Sequence, residues 1–169
     1  MRGFFLVEAL ISVAIFMFFG LVLFGVFYEG NIICRTNTVL LAAQQQARNA
    51  ADYIVRELRE SKSSTPLTTA DADRDTLAFL TPNETTSPGI QYALQDVVKN
   101  GVVVETNLVR TYASDPLLPT RTVARNIVRL KFTKDNVNKK ITINITARQT
   151  IGTRNYDYLL SENVRLRNE

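Results

Sequence analysis

The chain has 169 residues, with 20 basic and 16 acidic side chains and a formal net charge of +4, a length that fits one domain plus an anchoring segment. It contains no histidine, which excludes Ser-His-Asp and Cys-His nucleophilic sites and histidine-based zinc sites. Its single cysteine, Cys34, excludes an internal disulfide. We interpret Cys34 as a small helix residue, with pairing between chains as the alternative.

The first feature along the chain is a long apolar run that predicts a membrane-spanning helix. Residues 4–28 carry a single charged side chain, Glu8. About 20 apolar residues in a helix span the hydrocarbon core of a bilayer, so this run is long enough to cross it. Arg2, just before the run, favours a cytoplasmic N-terminus. The apolar run alone equally fits an uncleaved signal anchor that carries an incidental acid.

Glu8 is the informative residue of this run. A charged side chain at the centre of a membrane helix costs about 2.5 kcal/mol or more, so the carboxylate must be protonated or paired with a cation. If the chain were cut after Gly3, Phe4 would carry a new α-ammonium group, and Glu8 would lie one helical turn away. The amine of a neighbouring copy would serve equally well. Cleavage between Gly3 and Phe4 would therefore supply the partner that Glu8 needs.

The combination of Gly3, Phe4 and Glu8, followed by ALISVAIF, resembles the cleavage and methylation motif of prepilins, GF-x-x-x-E. That family includes type IV pilins and the pseudopilins of type II secretion and DNA uptake. The resemblance covers about residues 1–30. It implies that a prepilin peptidase removes residues 1–3 as a leader and N-methylates Phe4. It also implies that Glu8 aids filament assembly by neutralising the Phe4 amine of an adjacent subunit.

The resemblance further implies a location and a set of partners. The protein would cross the bacterial inner membrane once, with its N-terminus in the cytoplasm and its C-terminal domain in the periplasm, and would then join a filament. Its partners would be other pilin or pseudopilin subunits and the inner-membrane assembly platform. In many filaments of this family the middle of the helix loosens on assembly. Here that role would fall to Gly20 and Gly25, for which ordinary close helix packing is the alternative.

A second periodicity extends the helix beyond the membrane. Apolar residues recur at spacings of three and four, as in an amphipathic helix. These residues are Leu40, Ala43, Ala47, Ala50, Ile54 and Leu58. We therefore predict one helix over about residues 4–61, with residues 29–62 as the amphipathic continuation of the membrane segment. Small polar residues and a proline in segment 61–66 end it.

Strand signals follow in residues 63–169, which we expect to form a globular head packed on the 29–62 helix. Asn100-Gly101 lies between valine-rich runs and predicts a hairpin. Residues 123–132 predict one strand, and residues 140–147 alternate strictly between apolar and polar. Four to six short antiparallel strands would provide an apolar face for the helix.

This pattern predicts an α+β fold: a long N-terminal α-helix packed on a small antiparallel β-sheet, which is the pilin fold that the resemblance implies. The segment RNIVRLKF, an Ile-rich strand and the ending VRLRN look like the J-type minor pseudopilins and W-type minor pilins. The chain is therefore interpreted as a structural subunit, of minor type, of a type IV pilus or of a secretion or competence pseudopilus.

The C-terminal part, residues 121–169, is rich in basic side chains. Arg125, Arg129 and Lys131 alternate with apolar residues and are predicted to share the exposed face of one strand. Such a face can be a solvated edge that resists aggregation, a subunit contact or a DNA contact. The last of these gives a second hypothesis for the chain, a single-pass, membrane-anchored periplasmic binding module.

The sequence provides no set of residues for catalysis, a metal or a cofactor, so we do not expect an enzyme. Asp71, Asp73 and Asp75 alternate as in a calcium-binding loop, but the loop lacks the glycine of its turn and has Pro82 where the closing glutamate belongs.

Overall fold

The computed structural model describes residues 2–61, 67–69, 73–80, 89–112, 119–135 and 140–165, with the backbone alone for residues 2–5 and 67–69. The chain divides into two compact units, Met1–Thr38 and Val39–Glu169. The predicted divisions after residues 28 and 62 stay predictions, and residue 62 lies outside the described part.

One α-helix, α1, spans Arg2–Glu60, which confirms the prediction of a single helix over about residues 4–61. The first unit consists of this helix up to Thr38. The second unit contains the rest of the helix and two antiparallel sheets. The α+β architecture predicted from the sequence, a long helix packed on antiparallel β-structure, is therefore present.

In the part of the chain that the structure describes, eight strands form two sheets, where the sequence predicted four to six strands in one sheet. A five-stranded sheet has the order β1-β2-β3-β4-β5, and a three-stranded sheet has the order β6-β7-β8. Their bounds are β1 Leu67–Thr69, β2 Thr76–Phe79, β3 Ile90–Lys99, β4 Val102–Tyr112, β5 Arg121–Ala124, β6 Ile127–Asp135, β7 Lys140–Ile151 and β8 Arg154–Arg165.

The two sheets separate within the run 123–132, which the sequence predicted as one strand. That prediction is wrong, because Asn126 takes a φ of 58° and bends the chain from β5 of one sheet into β6 of the other. Asparagine is among the few residues other than glycine that adopt this left-handed conformation readily.

The predicted hairpin at Asn100-Gly101 is confirmed. Lys99 lies opposite Val102 across the turn, and the two central residues have φ values of 53° and 77°. Positive φ at both positions is typical of the type I′ turn that joins twisted strands with least distortion. Gly152, with a φ of 59°, occupies the first position of the corresponding turn between β7 and β8.

The core lies between the helix and the inner faces of both sheets. Ile54 and Leu58 of α1 have no exposed surface, and burying each side chain contributes about 1.5–3 kcal/mol. Small residues on the same stripe, Ala43, Ala47 and Ala50, are fully buried as predicted and let the backbones approach closely. Leu40, predicted as a member of the stripe, is 41% exposed and lies outside the core.

The segment before β2 closes one edge of the three-stranded sheet. Arg74 forms a parallel bridge with Leu130 of β6. The Asp75 amide donates to the Leu130 carbonyl oxygen at 2.8 Å, and the Leu130 amide donates to the Asp73 carbonyl oxygen at 3.0 Å. Part of a stretch that the sequence predicted as a loop therefore acts as a short added strand.

Candidate functional site

The N-terminal half of α1 presents an apolar surface that nothing in its own unit covers. Every described side chain of residues 6–35 is exposed. By length and composition this stretch of helix can cross a membrane. A surface of this kind needs lipid or another protein around it, because exposed apolar patches of this size are unfavourable in water.

Glu8 lies on this surface, and the structure gives its carboxylate no partner among the described side chains. The main chain of Glu8 does accept a side-chain hydrogen bond: the Ser12 hydroxyl donates to the Glu8 carbonyl oxygen at 2.9 Å. The backbone of Gly3 and Phe4 belongs to α1. The roles predicted for Gly3, Phe4 and Glu8 in cleavage, methylation and assembly stay predictions.

Gly20 and Gly25 lie in unbroken α-helix. A Cβ atom added at either position would meet nothing within 4 Å. Any close contact that these glycines permit must therefore be made with another molecule. Loosening of the helix at these positions remains a prediction.

The three predicted basic residues lie in different settings. On β6, Arg129 forms an ion pair with Asp73 at 3.0 Å, and Lys131 forms one with Asp75 at 3.2 Å. Arg125 lies between β5 and β6, so it does not share a strand with the other two. Two of the three cations are therefore engaged by acids of the segment that closes the β6 edge, and their role in a contact face stays a prediction.

Asp75 is the most buried of these ionic groups, with a side chain only 5% exposed. Besides Lys131, its carboxylate accepts a hydrogen bond of 2.9 Å from the Phe132 amide. Asp73, which the sequence placed beside it in an incomplete calcium loop, is 63% exposed. Asp71 lies outside the described residues, and within those residues no group of three His, Cys, Asp or Glu could hold a metal ion.

A second polar cluster, which the sequence did not reveal, joins α1 to the five-stranded sheet. The Tyr92 hydroxyl donates to Glu57 Oε2 at 2.6 Å, and Arg110 Nε donates to the same carboxylate at 3.0 Å. Tyr92 has no exposed surface. Burial, followed by the hydrogen bond to Glu57, raises the pKa of Tyr92 well above its usual range. The cluster therefore fixes the helix on the sheet.

Two further ionic contacts lie nearer the surface. Asp96 accepts from Arg74 Nη1 and from the Thr106 hydroxyl, each at 2.7 Å, and the Arg74 bond is the main reason why the pKa of Asp96 is lowered. Arg148 binds Asp157 through two bonds of 2.7 and 2.8 Å. These pairs orient side chains across neighbouring segments.

A groove of about 520 Å³ lies between β4 and the three-stranded sheet. Its lining includes Val103, Val104 and Val128 together with Arg74 and Arg148. Both arginines are already paired with aspartates.

No family model, curated protein or solved structure gives a match to this chain. The function is therefore inferred from the residues themselves.

Proposed function

We propose that this chain is a filament subunit of the pilin and pseudopilin type. It is held in the bacterial inner membrane by residues 4–28, cleaved after Gly3, N-methylated on Phe4, and then assembled through α1. The observation that carries the proposal is the spacing of Gly3, Phe4 and Glu8 at the start of a membrane-length apolar helix.

The carboxylate of Glu8, which has no partner among the described side chains, supports the proposal. An acid on a lipid-facing helix is costly, and the chain supplies no described side chain to offset that cost. A Phe4 α-ammonium on a neighbouring subunit would do so, because an ion pair is strong where water is excluded. The same interaction would fix the axial register of one subunit against the next.

The two parts of α1 support the same function. The N-terminal part is exposed and apolar on all sides, as suits a helix that exchanges lipid for neighbouring helices in a filament. The C-terminal part buries one stripe against a folded head. Such a subunit presents its head outside the membrane while its helix contributes to the filament core.

The minor-subunit assignment rests on the sequence pattern of β6, the Ile-rich strand β7 and the C-terminal ending. The terminal residues 166–168 lie outside the described part. The alternative, a membrane-anchored module that binds DNA, has less support, because Arg129 and Lys131 are engaged by Asp73 and Asp75.

The test is the substitution Glu8→Gln, which removes the charge and keeps the shape. Glu29→Gln, at the far end of the apolar run, is the matched control. We expect Glu8→Gln to insert into the membrane normally and its share in sheared filaments to fall about tenfold or more, because a charge-assisted bond contributes about 1.5–3 kcal/mol. Glu29→Gln should assemble at the level of the natural chain. Normal incorporation of the Glu8→Gln chain would contradict the proposal.

A further inference from the structure

The sheet edges of the C-terminal unit are not equally protected. In the five-stranded sheet, the edge strands β1 and β5 have three and four residues. In the three-stranded sheet, the β6 edge is closed by the bridge at Arg74. Short strands and covering segments are the usual means of preventing edge-to-edge pairing.

β8 has none of these protections. It is an edge strand of 12 residues, it contains no proline, and it pairs with β7 through 12 residue pairs without a bulge. In the described part of the chain, no strand pairs with its outer edge. A long, regular edge of this kind presents a row of backbone donors and acceptors to a further strand.

One large apolar side chain lies on the solvent face of this strand. Leu159 is 65% exposed and lies opposite Thr146. Its face is otherwise polar, with the Arg148–Asp157 ion pair and the Thr142–Asn163 hydrogen bond. On the opposite face, the neighbours of Leu159 along the strand pack against the core but are only half-buried; they are Tyr158 and Leu160.

We propose that β8 pairs antiparallel with β8 of a second copy of this chain, about a two-fold axis at Leu159. A two-fold axis perpendicular to the sheet keeps the core faces of both copies on the same side, and the interface is then the same patch on each. Two three-stranded sheets would become one continuous sheet of about six strands.

The side chains of β8 favour this register. With Leu159 opposite itself, Tyr158 of each copy lies opposite Leu160 of the other, so apolar side chains meet on both faces. Moving the axis by one residue puts Leu159 opposite Asp157 or Ser161 instead. If the two strands paired along their whole length instead, the core face of one copy would lie beside the solvent face of the other.

Charge supports the same arrangement. Glu162 and Arg154 are exposed, and neither has a recorded partner among the described residues. In the Leu159 register, Glu162 lies diagonally across from Arg154 of the other copy, and such diagonal neighbours are about 7–8 Å apart, a distance that long side chains can bridge. No like charges lie directly opposite each other.

A single pair of strands buries less surface than a stable interface in solution needs, so the contact is weak and reversible. Two copies anchored in one membrane are held at a high effective concentration, which favours such contacts. The inference goes beyond the proposed function and does not depend on it, because it needs neither cleavage nor filament assembly.

Cysteine cross-linking of the full chain in proteoliposomes tests the register, with Cys34→Ser as the background. Directly opposed residues in antiparallel strands have Cα atoms about 4.5–5.5 Å apart, within the range of a disulfide. Leu159→Cys should therefore form disulfide-linked dimers about tenfold more than Ser161→Cys, whose two copies would lie about 14 Å apart. Val102→Cys, on a tip residue that is 63% exposed, is the control for random collision.

A mixture of two single variants provides an independent readout. In the proposed register Asn155 lies opposite Asn163 of the other copy, so Asn155→Cys and Asn163→Cys should cross-link when mixed and fail to do so separately. Equal cross-linking at Leu159→Cys and Val102→Cys, no cross-link at Leu159→Cys, or a stronger one at Leu160→Cys would each overturn the proposal.

Discussion

Glu57 and Glu8 lie on the same helix but differ in burial and in the partners of their carboxylates. Glu57 is largely buried, with a side chain 17% exposed, and its carboxylate accepts from Tyr92 and Arg110. Glu8 is exposed and has no described side-chain partner. A carboxylate removed from water is tolerated when donors replace its hydration. Glu57 has its donors within the chain, and on our proposal Glu8 obtains its donor from another subunit.

Substituting Glu57 tests the first half of this contrast. Glu57→Ala leaves the buried Tyr92 hydroxyl and the Arg110 guanidinium without their shared acceptor. We expect the free energy of unfolding of the C-terminal unit to fall by about 2–4 kcal/mol. Urea unfolding of the full chain in detergent, followed by tyrosine fluorescence, measures it.

Glu60→Ala, an exposed glutamate one turn later, is the control and should change the same quantity by less than about 0.5 kcal/mol. A similar, small loss for both variants would show that the cluster does not stabilise the unit.

Among the secondary-structure elements, the edge of β6 depends on one buried acid. Asp75 joins the segment before β2 to two neighbouring positions of β6, the Lys131 ammonium and the Phe132 amide. Asp73 makes a comparable ion pair with Arg129, but both partners are more than half exposed. Two aspartates of one segment thus provide a matched pair.

We expect Asp75→Ala to lower the free energy of unfolding by about 2–3 kcal/mol, because it leaves a buried amide without its acceptor. Asp73→Ala should cost less than about 0.5 kcal/mol, as exposed ion pairs generally do. Hydrogen exchange of the β6 amides provides the measurement. Equal protection of these amides in the two variants would contradict the role given to Asp75.

The elements themselves were largely predictable because their signals are local. The spacing of Ala43 to Leu58 identified the buried stripe of α1, strict alternation identified β7, and Asn100-Gly101 identified its hairpin. The break at Asn126 was not predictable, because apolar and basic residues continue on both sides of it and a single asparagine does not by itself indicate a break. Backbone conformation at that one residue decides which sheet the chain enters.

The polar contacts were not predictable for a different reason. The acceptor for Tyr92 and Arg110 lies on a distant part of the chain, and so do the cations that pair with Asp73 and Asp75. An acid in an amphipathic helix or a loop looks solvated until the sheet brings its partner to it.

Leu40 was predicted as buried because the helical period continues past the end of the core.

At the scale of the whole molecule, two compact units with opposite surface chemistry share one helix. Residues 6–28 expose apolar side chains on all sides, whereas the unit from Val39 onward buries its apolar stripe and strand faces. One unit suits lipid or packed helices, and the other suits water. A filament subunit that leaves the membrane needs both properties.

Processing as a prepilin would determine the first residue of the mature chain, so the N-terminus of the mature protein tests the proposed function. Intact-mass and N-terminal peptide mass spectrometry would be applied to protein taken from its native membrane, in cells with an active prepilin peptidase. Prepilin processing would give a chain that begins at an N-methylated Phe4 and lacks residues 1–3. A mature chain that still begins at Met1 or Arg2 would contradict it and would leave a membrane-anchored domain in place of a filament subunit.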